Sequence, residues 1–220
     1  MIKPDLTLYF VTDRTGKSER EFLHIVGEAC IGGATLVQLR EKDISGLEYL
    51  TLAESVKRIT DIYDIPLLID DRVDIAMAVD AAGVHLGQSD IPVHFARMML
   101  GDDKIIGATV KTVGQAKRAK KEGADYLGVG AIFPTTTKVI TVITEVSTLN
   151  DIAAATNMPV VAIGGLNASN IHVLYDSMAN GIAVVSAIMK SDNPRVTVSA
   201  LKRQVMENFK TFAQHSVTSI

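Results

Sequence analysis

Cysteine is almost absent from this chain, which carries Cys30 alone. A single thiol can form neither an internal disulfide nor a cysteine-based zinc cluster. A chain with so little cysteine is typical of a reducing compartment. Because Cys30 falls within the helical stripe formed by Phe22, Ile25, Val26 and Ala29, we expect it to be a core side chain and not a nucleophile.

Long hydrophobic runs are also missing. The apolar stretches are interrupted by Gly, Asp or Lys, and they fall well short of the roughly 18 residues that a membrane-spanning helix needs. Residues 1–5 are not followed by an apolar segment of signal-peptide length. We therefore expect a cytoplasmic protein that does not enter a membrane.

Neither sign of charge is in large excess, since 22 Lys and Arg face 25 Asp and Glu. A dedicated nucleic-acid-binding protein is usually basic, so no nucleic-acid partner is expected. The 220 residues are 47% hydrophobic, which suits a folded domain and excludes global disorder. No linker or low-complexity segment divides the chain, which predicts a single domain over residues 1–220. The sequence leaves the oligomeric state open, a homo-oligomer included.

Eight short apolar runs recur along the chain without alternation of apolar and polar residues. Such runs are typical of parallel strands covered by helices on both faces. The predicted strands are 8–12, 36–39, 66–69, 83–86, 105–110, 126–132, 160–163 and 182–185. Ser18, Ser45 and Thr112 each precede a Glu or Gln by three residues, the capping-box pattern of a helix start. Alternating strands and helices at about 27 residues per unit predict a (β/α)8 barrel, with a doubly wound open sheet as the alternative.

In a parallel barrel the active site lies at the carboxyl ends of the strands, so polar residues that follow the apolar runs are candidates. Gln38, Arg40 and Lys42 follow the second run at intervals of two, which places them on one side of an extended chain. Two cations and an amide suit a multiply charged anion, because Arg binds phosphate oxygens in bidentate fashion. The alternative is a barrel-interior Gln with salt-bridged surface cations.

Asp71 and Asp90 follow the third and fourth runs. Carboxylates at neighbouring strand ends can share Mg²⁺, which proteins hold through one or two carboxylates, substrate phosphate and water. The alternative is that each Asp caps the following helix. The spacing does not decide between a metal site and a pair of caps.

Hydroxyls and glycines follow the later runs. Residues 135–138 can wrap an anion or form an ordinary polar loop, and Gly164, Gly165 and Ser186 lie where such barrels often bind phosphate. Nucleophiles are scarce, and His85 is expected to be a barrel-interior side chain. The pattern indicates phosphate chemistry without covalent catalysis.

Together these segments resemble the thiamine phosphate synthase family along nearly the whole chain. The matching segments are YFVTD (9–13), QLREK (38–42), DRVD (71–74), GQxD (87–90, with position 89 not matched), PTTTK (134–138), GG (164–165) and VSAI (185–188). Each segment is weak alone, but their order and spacing are specific. The resemblance implies a (β/α)8 barrel and a transferase of thiamine biosynthesis. Its reaction joins 4-amino-5-hydroxymethyl-2-methylpyrimidine diphosphate to 4-methyl-5-(2-phosphoethyl)thiazole, or the carboxylated thiazole, and yields thiamine phosphate and diphosphate.

The resemblance also implies the roles of individual residues. The pyrimidine diphosphate would be contacted by Gln38, Leu39, Arg40, Glu41, Lys42, Asp70, Thr109 and Lys138. The thiazole phosphate would be held by Thr135, Thr136, Thr137, Gly165, Val185 and Ser186. Asp71 and Asp90 would hold Mg²⁺ as the cofactor. Arg40, Lys42 and Lys138 would be catalytic, because a dissociative reaction must stabilise the departing diphosphate.

Three positions depart from the family pattern, which usually has Asn at Asp70, an acid at Ser89 and Ser at Thr109. An ionised Asp can only accept hydrogen bonds, whereas Asn can also donate. We expect Asp70 to join Asp71 on Mg²⁺ and to replace in part the acid missing at Ser89. Protonation of Asp70, or pairing of Asp70 with a cation such as Arg72, would be the other ways to relieve the charge. Two alternatives to a synthase stay open for the function of the chain. One is a thiazole tautomerase-like isomerase, although the His of those enzymes is Lys111 here, and the other is a non-catalytic barrel that binds thiazole or thiamine phosphate.

Overall fold

Eight parallel strands form a closed barrel in the computed structural model, which describes residues 3–135 and 142–209. Each strand pairs with the next along the chain, and β1 pairs with β8 to close the ring. The strands are β1 Leu8–Val11, β2 Leu36–Leu39, β3 Leu67–Asp70, β4 Gly83–Leu86, β5 Ile105–Val110, β6 Tyr126–Gly130, β7 Val160–Ile163 and β8 Gly181–Val184. Closure confirms the predicted (β/α)8 barrel and excludes the open sheet.

Helices cover the outside of the barrel between the strands. They are α1 Glu19–Ile31, α2 Gly46–Ile62, α3 Val73–Ala78, α4 Val93–Leu100, α5 Val113–Glu122, α6 Val146–Thr156, α7 Ser186–Met189 and α8 Pro194–Asn208. The expected helix between β7 and β8 is only a 3-10 turn, Ile171–Leu174. Side chains of Asn167 and Asn170 bond to nearby backbone groups and compete with helical hydrogen bonds there.

Three helix starts confirm the predicted caps. The Ser18 hydroxyl accepts a hydrogen bond from the Glu21 amide, and the Thr112 hydroxyl accepts one from the Gln115 amide. Ser45 and Glu48 form a complete capping box, in which each side chain accepts from the other residue's backbone N–H. The caps fix where α1, α2 and α5 begin, and therefore the length of the loops that precede them.

Strand side chains alternate between two buried layers. One layer lies between sheet and helices and contains Phe10, Phe22 and the buried thiol of Cys30, as predicted. The other layer fills the barrel interior and contains Tyr9 and Tyr126. Both tyrosines are almost fully buried, so their hydroxyl groups need partners within the barrel.

Candidate active site

A cavity of about 610 Å³ opens at the carboxyl ends of the strands. Most of the predicted site residues line it, including Gln38, Arg40, Lys42, Asp70, Asp71, Asp90, Thr109, Thr135, Gly165, Val185 and Ser186. A second cavity of about 580 Å³ adjoins it and shares Arg40, Lys42 and Ser186. The structure thus brings predicted site residues from seven strand ends, those of β2 to β8, to one place.

Five predicted site residues lie elsewhere or outside the described chain. The side chain of Leu39 faces the helices, and its carbonyl accepts a hydrogen bond of 2.9 Å from the Tyr49 hydroxyl. Glu41 borders the second cavity and pairs with Arg14 at 3.3 Å. Thr136, Thr137 and Lys138 fall within residues 136–141, which lie outside the described residues.

Lys42 lies between two carboxylates at the cavity wall. Its ammonium is 2.7 Å from Asp70 Oδ2 and also donates to Asp71 Oδ2, while Arg40 Nε is 3.8 Å from Asp70. Asp70 is only 7% exposed. Burial raises the pKa of Asp70 to about 6, the charge of Asp71 adds to the rise, and Lys42 opposes it. Partial burial lowers the pKa of Lys42, but Asp70 and Asp71 raise it above its usual value overall.

Arg72 does not form an ion pair with Asp70, because the Arg72 guanidinium forms two hydrogen bonds with Asp74. Within residues 3–135 and 142–209, the cations that pair with Asp70 are Lys42 and Arg40. The same two cations were predicted to bind an anion, so Asp70 holds them at the cavity wall.

Asp71 and Asp90 meet, and neither caps a helix. Burial raises the pKa of Asp90, and its hydrogen bond with the Asp71 side chain raises the pKa further. Asp90 Oδ2 also accepts from the Gly87 amide at 2.6 Å. The residues before α3 and α4 are Arg72 and Pro92, which make no side-chain capping bond. The capping interpretation is therefore wrong for both aspartates.

The meeting of Asp71 and Asp90 suits a cation. Two carboxyl groups at hydrogen-bond distance need either a shared proton or a cation between them, and carboxylate oxygens are ligands that Mg²⁺ prefers. Over residues 3–135 and 142–209 no group of three or more His, Cys, Asp or Glu side chains is arranged to hold a metal. A magnesium ion bound here would draw its other ligands from substrate phosphate and water.

Two glycines shape the loop after β7. Gly164 and Gly165 have φ values of +103° and +65°, a region that other residues rarely adopt. A Cβ at Gly165 would lie 2.6 Å from the carbonyl oxygen of Pro134, so the two loops could not pack as they do. The backbone of this loop therefore borders the cavity directly, beside Val185 and Ser186.

Buried polar side chains form the floor of the cavity. His85 bridges the Tyr126 hydroxyl and Thr109 Oγ1, each at 2.8 Å. Burial lowers the pKa of His85 to about 4. The prediction of a barrel-interior histidine is confirmed. Tyr126 carries no motif in the sequence, and its inward-facing position in β6 is the one signal that points to it.

The closed barrel, together with acids, cations and glycine-rich loops at its carboxyl end, defines a (β/α)8-barrel enzyme. The thiamine monophosphate synthase family model matches residues 8–188, and the chain belongs to this family.

Known proteins of high similarity agree with this assignment. A thiamine-phosphate synthase of Clostridium tetani is 49% identical over 189 residues, which cover 86% of this chain and 90% of that protein. One from Methanobrevibacter smithii is 46% identical over 200 residues, covering 91% and 95%. The solved thiamine phosphate pyrophosphorylase of Pyrococcus furiosus superposes with a TM-score of 0.85 at 38% identity, covering 94% and 99%. None of the described helices is long and apolar enough to cross a membrane.

Proposed function

We propose that this chain is a thiamine-phosphate synthase. It transfers the pyrimidinylmethyl group of 4-amino-5-hydroxymethyl-2-methylpyrimidine diphosphate to the nitrogen of the thiazole phosphate, with release of diphosphate. One observation carries the proposal beside the family membership. A single cavity is lined by two candidate anion-binding walls, the cations of Arg40 and Lys42 and the loop residues Gly165 and Ser186. A reaction between two phosphorylated substrates requires both.

The residues present suit a dissociative reaction. The C–O bond to diphosphate breaks first, and the thiazole nitrogen then captures the pyrimidinylmethyl cation. Arg40 and Lys42 would stabilise the negative charge that develops on the leaving group. Such a reaction needs no protein nucleophile. Magnesium held by Asp71 and Asp90 would supply additional positive charge for the diphosphate.

Substrate contacts follow the two walls. We assign the pyrimidine diphosphate to Gln38, Arg40, Lys42, Asp70 and Thr109, and the thiazole phosphate to Thr135, Gly165, Val185 and Ser186. Lys138, Thr136 and Thr137 keep the roles that the family resemblance implies. Coordination of Mg²⁺ by Asp70 stays a prediction. The pairing of Asp70 with Lys42 and Arg40 supports a role for Asp70 in positioning those cations. A cytoplasmic location is likewise part of this proposal.

The direct test is diphosphate release by the purified chain with both substrates and Mg²⁺. We expect release that depends on each substrate, together with formation of thiamine phosphate. Interconversion of thiazole isomers without diphosphate release would instead identify an isomerase. Binding of thiazole phosphate with neither reaction would identify a non-catalytic barrel. Either result would overturn the proposal.

The metal site has its own test. Asp71→Asn and Asp90→Asn should each lower kcat by about 10²-fold, because the leaving diphosphate loses a counter-charge. Activity of the unaltered chain should disappear with EDTA and return with Mg²⁺. Asp102→Asn is the matched control, since Asp102 is exposed in the loop after α4, away from the cavity. Full turnover of both site variants in EDTA would show that the metal assignment is wrong.

A further inference from the structure

Five polar side chains form a continuous hydrogen-bonded chain across the barrel interior. Gln38 Nε2 is 2.5 Å from the Tyr9 hydroxyl, which is 3.0 Å from the Tyr126 hydroxyl. His85 continues the chain from Tyr126 to Thr109. Gln38 and Thr109, its two ends, line the cavity on β2 and β5. We call these five side chains the relay.

The relay is built into the fold. Tyr9 and Tyr126 are at most 1% exposed, so their buried hydroxyl groups depend on hydrogen-bond partners within the barrel. A Cβ at Gly107 would lie 2.2 Å from Tyr126 Cζ and 2.5 Å from His85 Nδ1, and one at Gly128 would lie 3.0 Å from His85 Cε1. These two glycines leave the space that the relay occupies.

Only two arrangements form all four hydrogen bonds of the relay and also give both phenol protons an acceptor within it. Each hydroxyl has one proton, and a neutral imidazole has one donor and one acceptor nitrogen. In the first arrangement Thr109 donates to His85 Nε2, His85 Nδ1 donates to Tyr126, Tyr126 to Tyr9, and Tyr9 to the Gln38 amide oxygen. In the second every donor and acceptor is reversed, and the Gln38 amide is turned by half a rotation.

The two arrangements present opposite patterns to the cavity. In the first, Gln38 offers its NH₂ group and the Thr109 oxygen can accept from a ligand. In the second, Gln38 offers its amide oxygen and Thr109 can donate. Both arrangements require a neutral imidazole at His85, with one donor and one acceptor nitrogen.

We infer that the relay couples the hydrogen-bonding direction of Gln38 to that of Thr109. The two ends then present one concerted pattern of donors and acceptors to the pyrimidine across the cavity. An aminopyrimidine carries an amino donor and ring-nitrogen acceptors, so in a given orientation of the ring one arrangement complements it and the other opposes it. Tyr126 and His85 are then positioning residues that act through the two ends. This inference rests on the proposed function. Tyr126 is the best residue to substitute, because it is the one member of the relay that does not line the cavity.

The first experiment measures coupling in a double-mutant cycle. Gln38→Ala and Thr109→Val are made singly and together, and KM for the pyrimidine diphosphate and kcat are measured. We expect the combined effect on KM to differ from the product of the single effects by at least about fivefold. In a Tyr126→Phe background the difference should fall below about twofold, while KM for the thiazole phosphate stays within about twofold.

A matched control separates the relay from a general loss of packing. Tyr49→Phe also removes one buried phenol hydroxyl, but that hydroxyl donates to the carbonyls of Leu39 and Asp70, outside the relay. The coupling should survive in the Tyr49→Phe background. Unchanged coupling with Tyr126→Phe, or equal loss with Tyr49→Phe, would overturn the inference.

A second measurement does not depend on activity. The ¹⁵N chemical shifts of the His85 ring, assigned by comparison with His85→Gln, report which nitrogen carries the proton. We expect 4-amino-5-hydroxymethyl-2-methylpyrimidine diphosphate to drive His85 to a single tautomer. Binding that leaves the tautomer equilibrium unchanged would contradict the inference. Failure of the proposed function is distinct, since it would appear as absent diphosphate release by the unaltered chain.

Discussion

At the residue scale, the buried imidazole of His85 links stability to pH. Its ring lies in the barrel interior between Tyr126 and Thr109. Burial lowers its pKa from 6.5 to about 4. At pH values between these two pKa values, His85 therefore binds a proton in the unfolded chain but not in the folded chain. The contribution of His85 to stability is complete above about pH 6.5 and is lost as the pH falls towards 4.

This shift predicts a pH dependence of unfolding. The free energy of unfolding should fall by about 3 kcal/mol through His85 alone between pH 7 and pH 4. His85→Gln should be less stable at pH 7 and should lose this part of the slope in urea titrations. His24→Gln is the control, since His24 is exposed on α1. Equal slopes for the two variants would contradict the prediction.

Polar residues that directly follow a strand could be predicted as site residues, because the carboxyl ends of parallel strands converge at one end of the barrel. Arg40, Asp71 and Asp90 meet at the cavity for that reason. The pairing of Lys42 with Asp70 depends on side-chain directions that spacing does not fix. Tyr126 escaped prediction because an apolar run gives the same signal whether an aromatic residue in it faces the helices or the barrel interior.

At the element scale, local hydrogen bonds decide where helices form. The helix caps at Ser18, Ser45 and Thr112 could be predicted from the sequence, because they depend on a local three-residue spacing. The 3-10 turn between β7 and β8 was not, because Asn170 reaches back to the carbonyl of Gly165 as well as to Asn167. Most strand limits follow from the apolar runs, although β6 ends at Gly130, two residues before the run does.

The cap of α2 gives a stability prediction at this scale. Ser45→Ala removes the acceptor for the Glu48 amide and should lower the free energy of unfolding by about 1 kcal/mol. Ser55→Ala makes the same change in the body of α2, where the hydroxyl bonds to the Thr51 carbonyl, and should cost far less. Chemical denaturation of both variants measures the difference. Equal losses would show that the cap is unimportant.

At the scale of the whole molecule, closure joins the strands into one ring. Each of the eight strands pairs with two neighbours, so no strand can leave without breaking two sets of hydrogen bonds. We predict that the chain unfolds as one domain in a single transition. Near-UV and far-UV circular dichroism should give coincident melting curves. Two separated transitions would contradict the assignment of a single domain.

The pairing of β1 with β8 means that the sheet has no first strand. The order of strands around the ring would be the same wherever the covalent chain was opened. A circularly permuted gene, with its original ends joined by a linker and new ends in the exposed loop 101–103 before β5, would encode every strand pair of the present barrel. The new ends would lie at the opposite end of the barrel from the cavity, because that loop leads into a strand and does not leave one. The succession of elements along the gene is therefore one of several linear readings of the same circular arrangement.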